Sequence, residues 1–107
     1  MYIWDVLEAA DLVDEFLGTS SLEEYLAVTF LRSAVERQLQ IVGEALAQLS
    51  RRDPDTAKSI PEVPRVVAFR NILVHGYADI DNELVWGILK TSLPALRDRL
   101  RPLLEEC

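Results

Sequence analysis

The chain has one cysteine, Cys107 at its last position, and one histidine, His75. The lone cysteine excludes an internal disulfide and fits a reducing cytosol. With a single histidine and no HxxxH or CxxC pair, no zinc ligand set is suggested and no cofactor is expected. Half of the residues are hydrophobic (50%), yet no apolar run approaches the roughly 20 residues of a membrane span. Met1 is followed by Tyr2, Ile3, Trp4 and Asp5 rather than a basic stretch, so no secretory leader is expected and the cytoplasm is the expected location. Four glycines and five prolines are too few for a low-complexity chain. There is no internal repeat and no strand-like alternation with hairpin turns.

Positive charge is also missing where it matters. Residues 1–31 carry seven acids (Asp5, Glu8, Asp11, Asp14, Glu15, Glu23, Glu24) and no lysine or arginine, whereas residues 32–107 carry eleven of each sign. The net charge of −7 therefore resides in the first third. An acidic chain is a poor general nucleic-acid binder, because phosphate binding rests on counterion release by lysine and arginine. Any nucleic acid has to be met locally, near Arg51, Arg52, Lys58, Arg65 and Arg70. The plainest reading of the acidic third is a solvated helix face.

What is present is helical periodicity. At 107 residues the chain predicts one domain, 1–107, that buries roughly 65% of its unfolded surface. Ile3, Val6, Leu7, Ala10, Val13, Phe16 and Leu17 recur at intervals of three and four, and Gly18 is placed to end that helix. In "SSLEE", Ser20 or Ser21 can cap a restart, with Glu23 or Glu24 closing a capping box. A long second helix is expected from about Leu22 to Ser50. It has two apolar stripes, one through Leu31, Val35, Leu39, Val42, Leu46 and Leu49, the other through Leu26, Phe30, Ala34, Ile41 and Ala45. Coverage from two sides makes it central. Gly43 inside it suggests the close approach of another backbone.

"RRDPDTAKSIPEVP" reads as a connector with a short helical turn near Thr56–Ser59. A third helix runs from Pro64 to about His75, ended by Gly76. "ADIDNE" restarts a fourth helix marked by Leu84 to Leu103, which Pro94 should kink or split. The expected fold is all-α, an up-and-down bundle of four main helices with room for a fifth short one.

"FRNILVHGY" sets four polar groups in an oily segment. On a helix, Asn71 and His75 are i and i+4 and share a face. Arg70 and Tyr77, seven apart, share an adjacent face. Val74, and either Ile72 or Leu73, are expected to point elsewhere, into the core. Arg70 and His75 lie about 140° apart on a straight helix, so a second copy across a two-fold axis would converge the groups better. Such a set suits RNA transesterification. A histidine moves the proton as the 2′-hydroxyl attacks and the 5′-oxygen leaves. An arginine holds the phosphate, and an asparagine orients the imidazole or contacts the phosphate. The bland alternative is a set of packed or surface residues with satisfied partners.

"RNILVHGY" resembles the R-x-x-x-x-H-x-Y signature of HepT-like proteins in the HEPN superfamily. "MYIWDVLEAA", "ERQLQIVGEAL", "VVAFRNILVHGYADIDNELVWGIL" and "LPAL" resemble the family's successive helices, so the likeness spans essentially the whole chain. The resemblance implies a HEPN-like helical homodimer with the motif helices meeting at a cleft. It implies a metal-independent endoribonuclease toxin with Arg70 and His75 catalytic and Asn71 assisting. It further implies a partner antitoxin, an MntA-like minimal nucleotidyltransferase that silences the toxin by transferring AMP to Tyr77. A phenol two residues past the histidine suits that role, since added phosphate and bulk would block RNA.

Among the other matched residues, Gly43 reads as a packing glycine. Glu44 is either a buried partner for an arginine, such as Arg70, or exposed. Trp4 and Trp86 read as core or interface anchors. Two alternatives remain open at this level. One is a non-catalytic helical dimer that binds nucleotide or a partner protein. The other is a purely structural network in which Arg70, Asn71, His75 and Tyr77 are buried together.

Overall fold

A computed structural model describes residues 2–75 and 80–105. Its helices are α1 (Tyr2–Leu17), α2 (Leu22–Ala27), α3 (Thr29–Arg52), α4 (Pro54–Lys58), α5 (Val63–His75), α6 (Asn82–Gly87) and α7 (Leu93–Glu105). A π-helical turn, Ile88–Ser92, joins the last two. No strand occurs among the described residues. The four long helices α1, α3, α5 and α7 form the expected all-α bundle, and α4 is the short fifth piece of the connector.

Helix boundaries follow local chemistry. Gly18 takes a left-handed φ of 53° beyond α1, and its N–H donates to the Asp14 carbonyl at 2.9 Å. This is the αL stop that glycine makes without a Cβ penalty. The Ser21 hydroxyl accepts from the Glu24 N–H at 3.2 Å, and the Glu24 carboxylate accepts from the Ser21 N–H, also at 3.2 Å. Asp53 and Asp81 cap α4 and α6 in the same way. Before Pro94 the ladder widens, and the Leu93 N–H donates to the Ile88 carbonyl, five residues back. A π turn is a known way to make room for a proline ring that cannot donate and would clash with the preceding turn.

The core forms around α3, which packs against α1 on one side and α5 on the other, while α7 lies against α1. Val35, Leu39, Val42 and Leu46 of α3 are almost fully buried, together with Val6 and Val13 of α1, Val66 of α5, and Leu96 and Leu100 of α7. Burial of each such side chain contributes about 1.5–3 kcal/mol relative to exposure.

The second helix is not continuous. It breaks at Val28, whose φ of −110° and ψ of 100° are extended. Val28 and Thr29 form a β-branched pair with low helix propensity. The Arg32 guanidinium secures the break by donating to the Leu26 carbonyl, and to the Thr29 hydroxyl at 3.1 Å. It thereby satisfies a carbonyl that the end of α2 would leave orphaned. One consequence is that the second apolar stripe is covered only in its later part. Ala45 is buried and Ile41 half-buried, but Leu26 is exposed and Phe30 is 84% exposed.

The break also swings Tyr25 inward to complete burial, its ring centroid 5.6 Å from that of Trp86 on α6. Lys90 sits over the other ring, 4.7 Å from its centroid. Trp86 is therefore a packing anchor, whereas Trp4 is more than half exposed.

The acidic first third is more than a solvated face. Arg97 of α7 pairs with both Asp11 and Asp14 of α1, and Arg101 reaches Asp11 at 3.3 Å. Arg99 pairs with Glu62, just ahead of α5, at 3.0 Å.

Glu36 faces the buried Tyr25 region. Burial pushes its carboxyl above the usual range, and the Arg32 charge only partly offsets that. Burial likewise pushes the Tyr25 hydroxyl up, with the Glu36 charge adding to it. A raised carboxyl favours the protonated folded state. Its contribution is therefore complete below the unfolded glutamate pKa and is lost as pH rises through the folded value. Glu36→Gln should melt above the parent chain at pH 7, and the gap should close below about pH 4. Paired thermal melts across that range test this, and a pH-independent gap would overturn it.

Candidate functional site

The site is built on α5 and on the segment of α3 that α5 crosses. Val66, Phe69 and Leu73 of α5 are buried and dock the helix. The approach is close because Gly43 has no side chain. A Cβ built there would lie 2.3 Å from the Arg70 Cβ and 2.8 Å from its Cγ. The stem of Arg70 therefore occupies the space that a side chain at position 43 would fill.

The next residue, Glu44, meets the other end of the same arginine. Its Oε2 lies 3.4 Å from Arg70 Nη1, with the Arg70 side chain 18% and the Glu44 side chain 54% exposed. Arg70 Nε is buried and has no hydrogen-bond partner among the described residues. Glu44 is the partner of Arg70, as one sequence reading has it, but it is not buried: it pairs while remaining largely open to solvent.

Asn71 and His75 are exposed, His75 in the last turn of α5. The described part of the motif is thus no buried polar network. Arg70 is held against α3, while Asn71 and His75 face outward. Tyr77 and Gly76 lie outside the described residues. Only Leu73 of the three apolar motif residues enters the core; Ile72 is 43% and Val74 38% exposed. Of the alternatives Ile72 and Leu73 it is Leu73 that points inward, whereas the expectation for Val74 fails because α5 is covered chiefly by α3, which can bury only one stripe of it.

The basic residues separate into two groups. Arg97, Arg99 and Arg101 are paired with acids. Arg51, Arg52, Lys58 and Arg65 are exposed and form no ion pair among the described residues. They sit at the end of α3, on α4 and at the start of α5, with Asp53 and Asp55 interspersed. No group of three or more histidine, cysteine, aspartate or glutamate side chains that could hold a metal occurs among the described residues. Nor is any described helix long and apolar enough to cross a membrane.

Sequence reasoning missed Arg32 as the clip of the α2–α3 break and Tyr25 as a buried ring. The β-branched Val28–Thr29 pair was the available signal for both.

Residues 6–103 match the family model described as ribonuclease HepT-like. The chain belongs to the HepT-like family. It is 36% identical over 98 residues to "Putative RNase MJ1380" of Methanocaldococcus jannaschii, covering 90% of this chain and 87% of that one. It is 31% identical over 105 residues to "Probable ribonuclease HepT" of Thermococcus cleftensis, covering 95% and 92%. No solved structure gave a significant match.

The glycine contact yields a direct test. Carbon atoms rest about 3.5–4.0 Å apart, and a Cβ at position 43 meets another Cβ fixed to its own backbone, so α3 and α5 have to separate. Gly43→Ala gains about 1 kcal/mol in helix propensity but overpacks the crossing by about 1–3 kcal/mol. The expected result is a net fall in Tm of a few degrees, roughly 5 °C. A rise in Tm would mean that the crossing adjusts freely.

Proposed function

We propose that the chain is a metal-independent endoribonuclease in which Arg70 and His75 are catalytic and Asn71 assists. The observation that carries this reading is the placement of His75 and Asn71 on the open side of α5 while Arg70 is held half-buried against α3, in a chain of the HepT-like family. In the proposed reaction the 2′-hydroxyl attacks the adjacent phosphorus. A P–O2′ bond forms and the P–O5′ bond breaks, leaving a 2′,3′-cyclic phosphate and a 5′-hydroxyl. His75 transfers the proton, and Arg70 stabilises charge on the phosphoryl oxygens. Arg51, Arg52, Lys58 and Arg65 supply local positive charge for the RNA backbone.

The same reading makes the protein the toxin of a toxin–antitoxin pair, silenced when an MntA-like nucleotidyltransferase transfers AMP to Tyr77. It also makes the active species a homodimer. Arg70 and His75 diverge by about 140° on one straight helix, and α5 keeps Ile72 and Val74 exposed for a second copy of the motif helix.

The test is cleavage of folded RNA in EDTA by protein whose intact mass shows no AMP. Cleavage products with cyclic phosphate ends that disappear in His75→Ala support the reading. No cleavage by clean, unmodified protein transfers the assignment to a binding module for nucleotide or a partner protein.

Burial separates the two catalytic candidates further. His75→Ala should abolish cleavage with Tm almost unchanged, because surface substitutions usually stay within about 0.5 kcal/mol. Arg70→Ala should abolish cleavage and also lower Tm, since it empties the space over Gly43. Equal loss of stability in both variants would restore the structural reading of the motif.

A further inference from the structure

We infer that Glu44 is a positioning residue for Arg70, and that the Gly43–Glu44 pair on α3 sets the direction in which the guanidinium faces its substrate. The inference rests on the ribonuclease reading above for the identity of the reaction, but not for the geometry. Three observations converge on it. Gly43 brings the Arg70 stem against α3, with no space for a Cβ between them. Glu44 Oε2 stands 3.4 Å from Nη1, at the far end of that stem. Nε, between these two contacts, is buried and has no hydrogen-bond partner among the described residues. The arginine is therefore held at its base by packing and at its tip by one carboxylate.

A guanidinium has five N–H donors in a rigid plane. A stem packed at its base and an ion pair at one Nη together restrict the directions that the remaining donors can take. An arginine free to rotate would have to be ordered as the phosphoryl charge develops. One already oriented contributes without that reorganisation. Glu44 also compensates the charge of a group that is only 18% exposed, which matters because an unpaired charge at a largely covered position is destabilising. Glu44 itself is mostly open, and on its other side it lines a groove of about 600 Å³ between α1 and α3. It can therefore be changed without opening the core.

A contrary role is also physically available. A carboxylate beside Arg70 could act as a competitor that the RNA phosphate has to displace. The two roles predict opposite kinetics. A positioning residue acts in the transition state, so Glu44→Gln should lower kcat on the order of tenfold to a hundredfold with KM little changed. A competitor would, on removal, lower KM or raise kcat/KM.

The experiment is steady-state RNA cleavage by the full chain carrying Glu44→Gln, Glu44→Asp, Arg70→Lys and the Glu44→Gln/Arg70→Lys double change. Glu8→Gln, another exposed carboxylate of the groove, serves as the charge control and is expected to cleave like the parent. Support consists of a kcat loss in Glu44→Gln, partial recovery in Glu44→Asp, and a double variant no worse than Arg70→Lys alone. A lower KM, an unchanged kcat, or additive losses in the double variant would overturn the inference. If the parent chain cleaves no RNA, the ribonuclease reading fails, and the pairing is then read from the same four variants by thermal unfolding. Non-additive changes in Tm would retain Glu44 as the partner that holds Arg70, and additive changes would remove it.

Discussion

The crossing of α3 and α5 at Gly43 is the contact on which the candidate site depends. A helix bundle of this size has few ways to hold a long cationic side chain in one place without burying it at prohibitive cost. Here the stem is packed and the head is left at the edge. Gly43 supplies the packing by having no side chain, and Glu44 supplies the counter-charge one residue later. Along α3 these two neighbours project about 100° apart. One therefore faces the crossing while the other faces its rim. The same two residues account for why Arg70 is neither a free surface arginine nor a buried ion.

Much of this was legible in the sequence, for identifiable reasons. An interior glycine in a strongly helical segment costs about 1 kcal/mol relative to alanine, so its presence signalled a close approach. The capping box at Ser21 and Glu24, the stop at Gly18 and the disturbance at Pro94 are local and readable, because each is settled within four or five residues. The α2–α3 break was not read. Its apolar periodicity continues through Val28, and what ends the helix is a weak propensity reinforced by a bond from Arg32 to the Leu26 carbonyl six residues back. Periodicity reports which face can be buried, but not whether anything lies there to bury it. Phe30, Ile72 and Val74 illustrate the difference: each fits an apolar pattern, and each is exposed in this chain.

The motif itself divides along the same line. Leu73, one of the alternatives read from spacing, is buried together with Phe69, and Arg70 is paired with Glu44. Asn71 and His75 have no packing explanation for their positions, since both are exposed. That asymmetry is what gives the functional reading its weight. Residues that stabilise a fold are usually found where they touch it, whereas residues that serve a reaction are found where a substrate can touch them.

Net charge is the remaining point at which sequence and structure have to be reconciled. A value of −7 argues against an RNA partner only if charge acts as a total. At physiological ionic strength, charges separated by more than about 8 Å are largely screened from each other at the surface, so distribution decides. In this fold α7 delivers Arg97 and Arg101 to Asp11 and Asp14, and Arg99 to Glu62. Cations and acids are neutralised together along the α1–α7 side. Arg51, Arg52, Lys58 and Arg65 lie on other elements, at the end of α3, on α4 and at the start of α5. From Arg65 to His75 is ten residues of one helix, about 15 Å, a distance that a few nucleotides of extended RNA can span. The acidity of the first third is thus compatible with RNA engaged along α5, because the bundle keeps the two regions on different helices.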